Sequence, residues 1–402
     1  MFNLLSSMFA AQGASKRRRR NSSSSIPCEV LEQRLPLTLT TVETHVNTTT
    51  ANNQSTPDTA SNASGLSVVV WTHRFSNTDT DIKAQRFDAN GNKSGSEITV
   101  ANTSRNESDP AVSMDSSGDF VVVWVVETPI LNGDVLAQRF TSTGAKRGSV
   151  ISVANETKDE SAPSIASASN GDFVVSYTLN FSVGDLDVKA KRFSDSGALQ
   201  STISVGTSSG DDERESSVAR TSDGRFAIAY TVNNGIMLKR YGSTGSLVNT
   251  HTIVSGTDND HPGVSMDDSG NSVVAWEALV LGDNDIKARV VSSTGTMQST
   301  STIANSTDNE FEPDVAFRRS GGIYVVTYTR GAKSSSSTTW QVRGAEVTSN
   351  TGLVRSSFSV ASSTSGSAVS FGNGNSYSLC YQTRSSRPDD LAFGIFGRRG
   401  TV

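Results

Sequence analysis

Two cysteines in 402 residues, Cys28 and Cys380, are too few for a disulfide scaffold. No run of about 18 apolar residues occurs, so a membrane-spanning helix is not expected. Histidines number four (His45, His73, His251 and His261), and none stands at a spacing typical of a metal site. Charged residues make up 19% and hydrophobic ones 35%, which excludes the charge-rich composition of a disordered chain. Five of the 35 positive charges sit in one block, Lys16 to Arg20, so the rest of the chain is more acidic than the net −5. An acidic body argues against nucleic acid as a partner, because phosphate contacts need a basic face. The basic block itself reads as a solvated or targeting tail. It follows the apolar "MFNLLSSMFAA" instead of preceding an apolar segment, so no standard export signal is supported. Sustained 3.6-residue periodicity is missing too, which leaves a chain that is nearly all β.

What is present is a repeat. The phrase "GDFVVVW" at 118–124 returns as "GDFVVSY", "GRFAIAY" and "GIYVVTY". Aligned on its closing aromatic, it falls at Trp71, Trp124, Tyr177, Tyr230, Trp276, Tyr328 and Tyr381, at intervals of 53, 53, 53, 46, 52 and 53 residues. A fixed period of this length defines a repeat architecture. Each unit reads as four short strands joined by Gly-bearing turns, with an Asp- and Asn-rich loop between the second and third. In "FVVVWV" both alternating faces are apolar, as in a sheet sandwiched between two others. Propeller blades meet that condition, and seven units lie within the usual range. The last unit has three strands before the chain ends, while "TLTTVETHVN" at 38–47 matches the fourth strand of the other units. The expected fold is therefore an all-β, seven-bladed β-propeller of four-stranded blades over 38–402, its ring closed by an N-terminal strand completing the last blade. Residues 1–37 are expected to form a disordered, basic, Ser-rich tail.

The unit "GDFVVVW…DVLAQRF…G" resembles tandem repeats of large surface and secreted bacterial proteins, often found beside calcium-binding repeats. The tail "CEVLEQRLPLT" resembles the LEPR-XLL motif of planctomycetal envelope and exported proteins, through Leu31, Glu32, Arg34 and Leu37. Gln33 stands where that motif commonly has Pro, and Pro36 replaces a leucine. The resemblance implies an extracellular or envelope protein and no particular chemistry.

Candidate sites gather in the loops on the face where propellers generally bind ligands. Glu107, Glu160, Glu215 and Glu310 precede the crossover proline position, and Asp81, Asp134 and Asp187 open third strands. Carboxylates of this kind suit hard cations such as calcium. A residue repeated in every unit is, however, first a structural fixture: it caps loop N–H groups or pairs with the repeated Arg86, Arg139, Arg192 and Arg240. "DND" (283–285) and "DNDHP" (258–262) depart most from the repeat, and Asp283 and Asp285 are the first candidates for a metal. Enzyme chemistry is thinly supplied. No G-x-S-x-G elbow is present, and the turns lack the spacing of sialidase Asp-box turns. The leading expectation is a monomeric, non-catalytic binding or structural module of the envelope, with a surface glycan or another envelope protein as partner. The alternative is a glycan- or polyester-active hydrolase or lyase. A non-repeated polar cluster at the central channel would separate the two.

Overall fold

The computed structural model describes residues 38–39, 44–49, 51–76, 78–127, 132–256, 258–318, 322–331, 340–362, 364–371, 376–383 and 390–397. The tail, with its LEPR-XLL-like stretch, lies outside the described residues.

The alternation of "FVVVWVV" decides where the core sits. Phe120, Val122, Trp124 and Val126 pack against Val68, Val70 and Ile82 of the preceding sheet. Val121 and Val123 pack the other way, against Phe173, Val175 and Tyr177 of the next one. Both faces of the strand are buried, so the hydrophobic core is divided into slabs between neighbouring antiparallel sheets. Ring pairs such as Phe120–Phe140 and Phe173–Phe193 stack across adjacent strands, at 4.9 and 5.0 Å between centroids. Among the described residues no helix is long and apolar enough to cross a membrane.

The first strands of neighbouring sheets pack on one another in a continuous ring, which closes between Thr364–Phe371 and Gln54–Ser61. The architecture is a β-propeller. Its blades are not the seven four-stranded units expected from the repeat count. Six sheets are four-stranded blades, the first built from Gln54–Ser61, Ser67–Ser76, Asp79–Phe87 and Ile98–Ala101. The others begin at Glu107, Asp159, Glu213, Asn259 and Asn309. The last repeat departs from them: Thr364–Phe371, Ser376–Thr383 and Asp390–Gly397 belong to a five-stranded closing sheet. Its outer position holds two short strands, Thr38–Leu39 and Thr44–His45, both antiparallel to Asp390–Gly397. The register explains the difference. Leu39 faces Phe396 and Thr44 faces Phe393, so more chain is fed in on the N-terminal side than one continuous strand can pair.

Side chains stitch the blades together on the face opposite the second-to-third loops. Arg86, Arg139, Arg192 and Arg240 donate to turn carbonyls one blade further on, at Ser142, Asp195, Thr244 and Ser292. The repeated arginines thus serve the joints between blades, and the repeated acids of the loops must be satisfied in other ways.

Candidate functional site

Each blade opens on a strained step. In the first strand one extra residue is inserted, so that two residues oppose the repeat aromatic of the second strand (Ser55 pairs Thr72 and Asp58 pairs Val70). The same shift follows Ser108, Ser161, Arg214, Asp260 and Phe311. The first bulged residue has a left-handed backbone in every blade: Thr56, Asp109, Ala162, Glu215, His261 and Glu312, with φ between 47° and 52°. A proline follows in five of the six, where its missing N–H costs no ladder bond. Non-glycine residues held in this region cost of order 1–3 kcal/mol each, and such positions cluster at functional sites.

The bulges line the mouth of the channel, and there the repeat breaks. Three blades carry Ser55, Ser108 and Ser161 before the bulge; the other three carry Arg214, Asp260 and Phe311. The residue after the repeat aromatic is Thr72, Thr178, Thr231 or Thr329 in four blades and Val125 in another, but Glu277 after Trp276. Asp260 and Glu277 face each other directly across the ladder. Arg214 Nη2 lies 3.0 Å from Asp260 Oδ2, and Thr231 Oγ1 donates to Asp260 Oδ1 at 2.9 Å. The half-exposed His261 ring stands between two carboxylates, with Nε2 3.6 Å from Glu215 Oε1 and Nδ1 3.6 Å from Glu277 Oε1. The backbone N–H of Glu312 donates to Glu277 Oε1 at 2.7 Å. His261 and Glu277 of this group line a cavity of about 450 Å³, whose other walls include Glu312, Thr329, Phe311 and Trp340. The Phe311 and Trp340 rings lie 6.0 Å apart at a tilt of 32°.

The neighbouring carboxyls titrate apart. Burial, then the hydrogen bond shared with Asp260, pushes Glu215 up to about 7. Burial also works against the charge on Asp260, but hydrogen bonds from Glu215, Arg214 and Thr231 outweigh it and hold that carboxyl down at about 2. Burial raises Glu277 as well, against a hydrogen bond from the Glu312 backbone. A pair of groups driven apart in this way is how acid and base roles are divided in one site. Among the described residues, Glu215, Asp260 and His261 are the one group of three whose ligating atoms gather within 4.8 Å. Arg214 already supplies positive charge to Asp260 in that group.

The acids expected from the repeat have other surroundings. Glu107, Glu160 and Glu310 are buried and cap their own loops, receiving the Thr103 hydroxyl, the Glu156 N–H at 3.0 Å and the Ser306 hydroxyl. Glu215 does not share their column. Glu213 does: it is buried and receives the Ser208 N–H at 3.1 Å. Across each blade joint these groups feel the charge of Asp81, Asp134, Asp187 or Asp285. Asp285 is buried and paired with Lys287 Nζ at 2.8 Å, and Asp283 opens the same strand. Neither joins a three-residue ligand group among the described residues. The second oxygens of Glu160, Glu213 and Glu310 are buried without a hydrogen-bond partner.

Glu160 makes a measurable case. Burial pushes its carboxyl up to about 7, whereas an unfolded chain releases that proton near 4.5. Between these values the folded state binds more protons than the unfolded one, so stability falls as pH rises from 4.5 through 7. Melting curves should show a midpoint several degrees higher at pH 5 than at pH 8, with a smaller difference in Glu160→Gln. An unchanged pH dependence in that variant would rule the assignment out.

No family model matches the chain, and no curated protein matches it in sequence. Solved structures resemble it in fold. A protein of unknown function from Dyadobacter fermentans superposes with a TM-score of 0.51 at 9% identity, over 90% of this chain and 99% of that one. An ulvan lyase from a new polysaccharide lyase family gives 0.54 at 10% identity, over 87% and 95%. The NanB sialidase of Streptococcus pneumoniae gives 0.50 at 11% identity, over 90% and 71%. At these identities the likeness concerns the propeller scaffold. The class defined here is a β-propeller with an asymmetric, acidic channel mouth.

Proposed function

We propose that the protein is a glycan-cleaving enzyme that hydrolyses a glycosidic link at the channel mouth. One observation carries this reading: the break in the repeat that gathers Glu215, Asp260, His261 and Glu277 beside Phe311 and Trp340. A structural fixture would recur in every blade, and these residues do not. Glu215, which keeps a proton near neutral pH, gives it to the departing sugar oxygen as the carbon–oxygen bond breaks. His261 takes a proton from the attacking water, whose oxygen bonds to the sugar carbon, and Glu277 beside it balances the charge gained. Asp260 is a positioning residue, fixed by Arg214 and Thr231. Aromatic faces such as Trp340 suit the apolar faces of pyranose rings. A polysaccharide lyase and a sialidase among the similar structures support a propeller as a scaffold for glycan chemistry. The resemblance of the tail to envelope and exported proteins supports a setting where such polymers are met.

The test is a panel of neutral, amino-substituted and acidic polysaccharides, followed by the appearance of new reducing ends. The native chain should release them from at least one polymer, and Glu215→Gln should not. Binding without cleavage across the whole panel would sink the enzymatic reading and return the non-catalytic module.

A further inference from the structure

The charges facing the cavity point to its substrate. Glu277 is buried, with its side chain 9% exposed, and among the described residues its oxygens accept hydrogen bonds from two neutral donors, the Glu312 N–H at 2.7 Å and Asn284 Nδ2 at 3.3 Å. Among the described residues the one ionisable group near it that can turn positive is His261. Glu312 adds a second, exposed carboxylate at the same wall. The Arg214 guanidinium is engaged with Asp260 and Asp212. No lysine or arginine is found among the described residues lining the cavity. Among the described lining residues, a uronate or sulfated sugar would therefore meet carboxylates and no lysine or arginine. A buried carboxylate without a fixed counter-charge is costly, and a ligand that brings one removes that cost. The aromatic walls add to the preference, since Phe311 and Trp340 offer π faces that attract a cation within about 6 Å.

We infer that the cleft takes a glycan carrying a free amine, a glucosamine-type unit whose ammonium sits between Glu277 and Glu312 with its ring against Trp340. The inference rests on the glycan reading above, and it concerns binding, whatever becomes of the hydrolysis.

Titration calorimetry with oligomers of glucosamine, of N-acetylglucosamine and of a uronic acid tests it, on the native chain and on Glu215→Gln where the native chain degrades the ligand. The glucosamine oligomer should bind at least about tenfold more tightly than its N-acetylated counterpart, and the uronate more weakly still. Raising salt should erode the preference. Glu312→Gln, on the exposed wall, and Glu277→Gln should each shrink it, the exposed variant guarding against loss of fold in the buried one. Equal affinity for the acetylated and free-amine oligomers, no binding of the amine, or a preference untouched by both variants overturns the inference. Cleavage of a neutral polymer without amine preference would leave the enzymatic reading standing and defeat this one. Amine-selective binding without cleavage would do the reverse.

Discussion

His261→Asn should lower the rate of glycan cleavage roughly 10²–10⁴-fold, the range lost with a positioned acid or base, while leaving the melting temperature nearly unchanged. Asparagine is the informative replacement because residue 261 has a φ of 49°, which asparagine tolerates and a bulky or branched residue does not. The ring is half exposed, so removing it opens no core cavity. Glu215→Gln should cost a similar factor, because the amide keeps the shape and cannot give up a proton. Combining the two should cost little more than either alone if their two proton transfers belong to one concerted step. Asp260→Asn should act less severely: it loosens Arg214 and Thr231 and lets the Glu215 carboxyl drift back toward its ordinary range. Initial rates on the cleaved polymer give all four values. Full activity in both His261→Asn and Glu215→Gln would remove the site from the chemistry.

The second large effect concerns closure. A chain beginning at residue 48 should fail to fold or should aggregate, whereas one beginning at residue 38 should melt as the full chain does. Val46 is fully buried with Val69, Trp71, Phe87, Cys380 and Leu391, and so ties the closing sheet to the first blade. Its N–H donates to Leu391 O at 2.9 Å, and the Leu391 N–H returns a bond to Asn47 Oδ1 at 3.0 Å. Burying a valine contributes about 1.5–3 kcal/mol and each net hydrogen bond about 1 kcal/mol. Their joint loss, with an exposed strand edge, is large against the 5–15 kcal/mol that typically holds a domain together. Val46→Asp, which buries a charge without a partner, should reproduce much of the effect in the intact chain. Circular dichroism and light scattering measure both. Native-like melting of the 48-onward chain would show that the ring does not depend on this strap.

The second strands were legible from sequence because their alternation is a direct consequence of burial on both faces, and Phe120 to Val126 pack as their pattern implies. The closing sheet was legible in its membership and illegible in its register, since nothing in "TLTTVETHVN" marks where pairing with Phe396 gives way to pairing with Phe393. Of the bulges, the sequence carries only the proline that follows five of them. A left-handed backbone at Thr56, Asp109 or Glu312 has no composition signal when the residue is not glycine. That omission displaced the fourth blade's acid. Without a proline after the bulge, nothing in the sequence separates Glu215 from the buried cap that Glu213 provides. The active-looking cluster had one visible mark, the departure of "DNDHP" from the repeat, which holds Asp260 and His261. Glu277 is the single acid in a column of four threonines and a valine, a mark the sequence carries. Its partnership with His261 required the ladder.

One blade is cut lower than its neighbours. Phe226–Val232 turns into Gly235–Tyr241 through Asn233 and Asn234 alone, both with positive φ, whereas the blade before it carries its hairpin out to Ser182 and Asp185. The short hairpin belongs to the same blade as Arg214 and Glu215, so the rim of that blade is lower beside the proposed proton donor. On the glycan reading, a long polymer crossing this lower rim needs no free terminus to reach the site. Cleavage within the chain, giving a rapid drop in viscosity before much small product appears, is the mode of attack that this low wall permits.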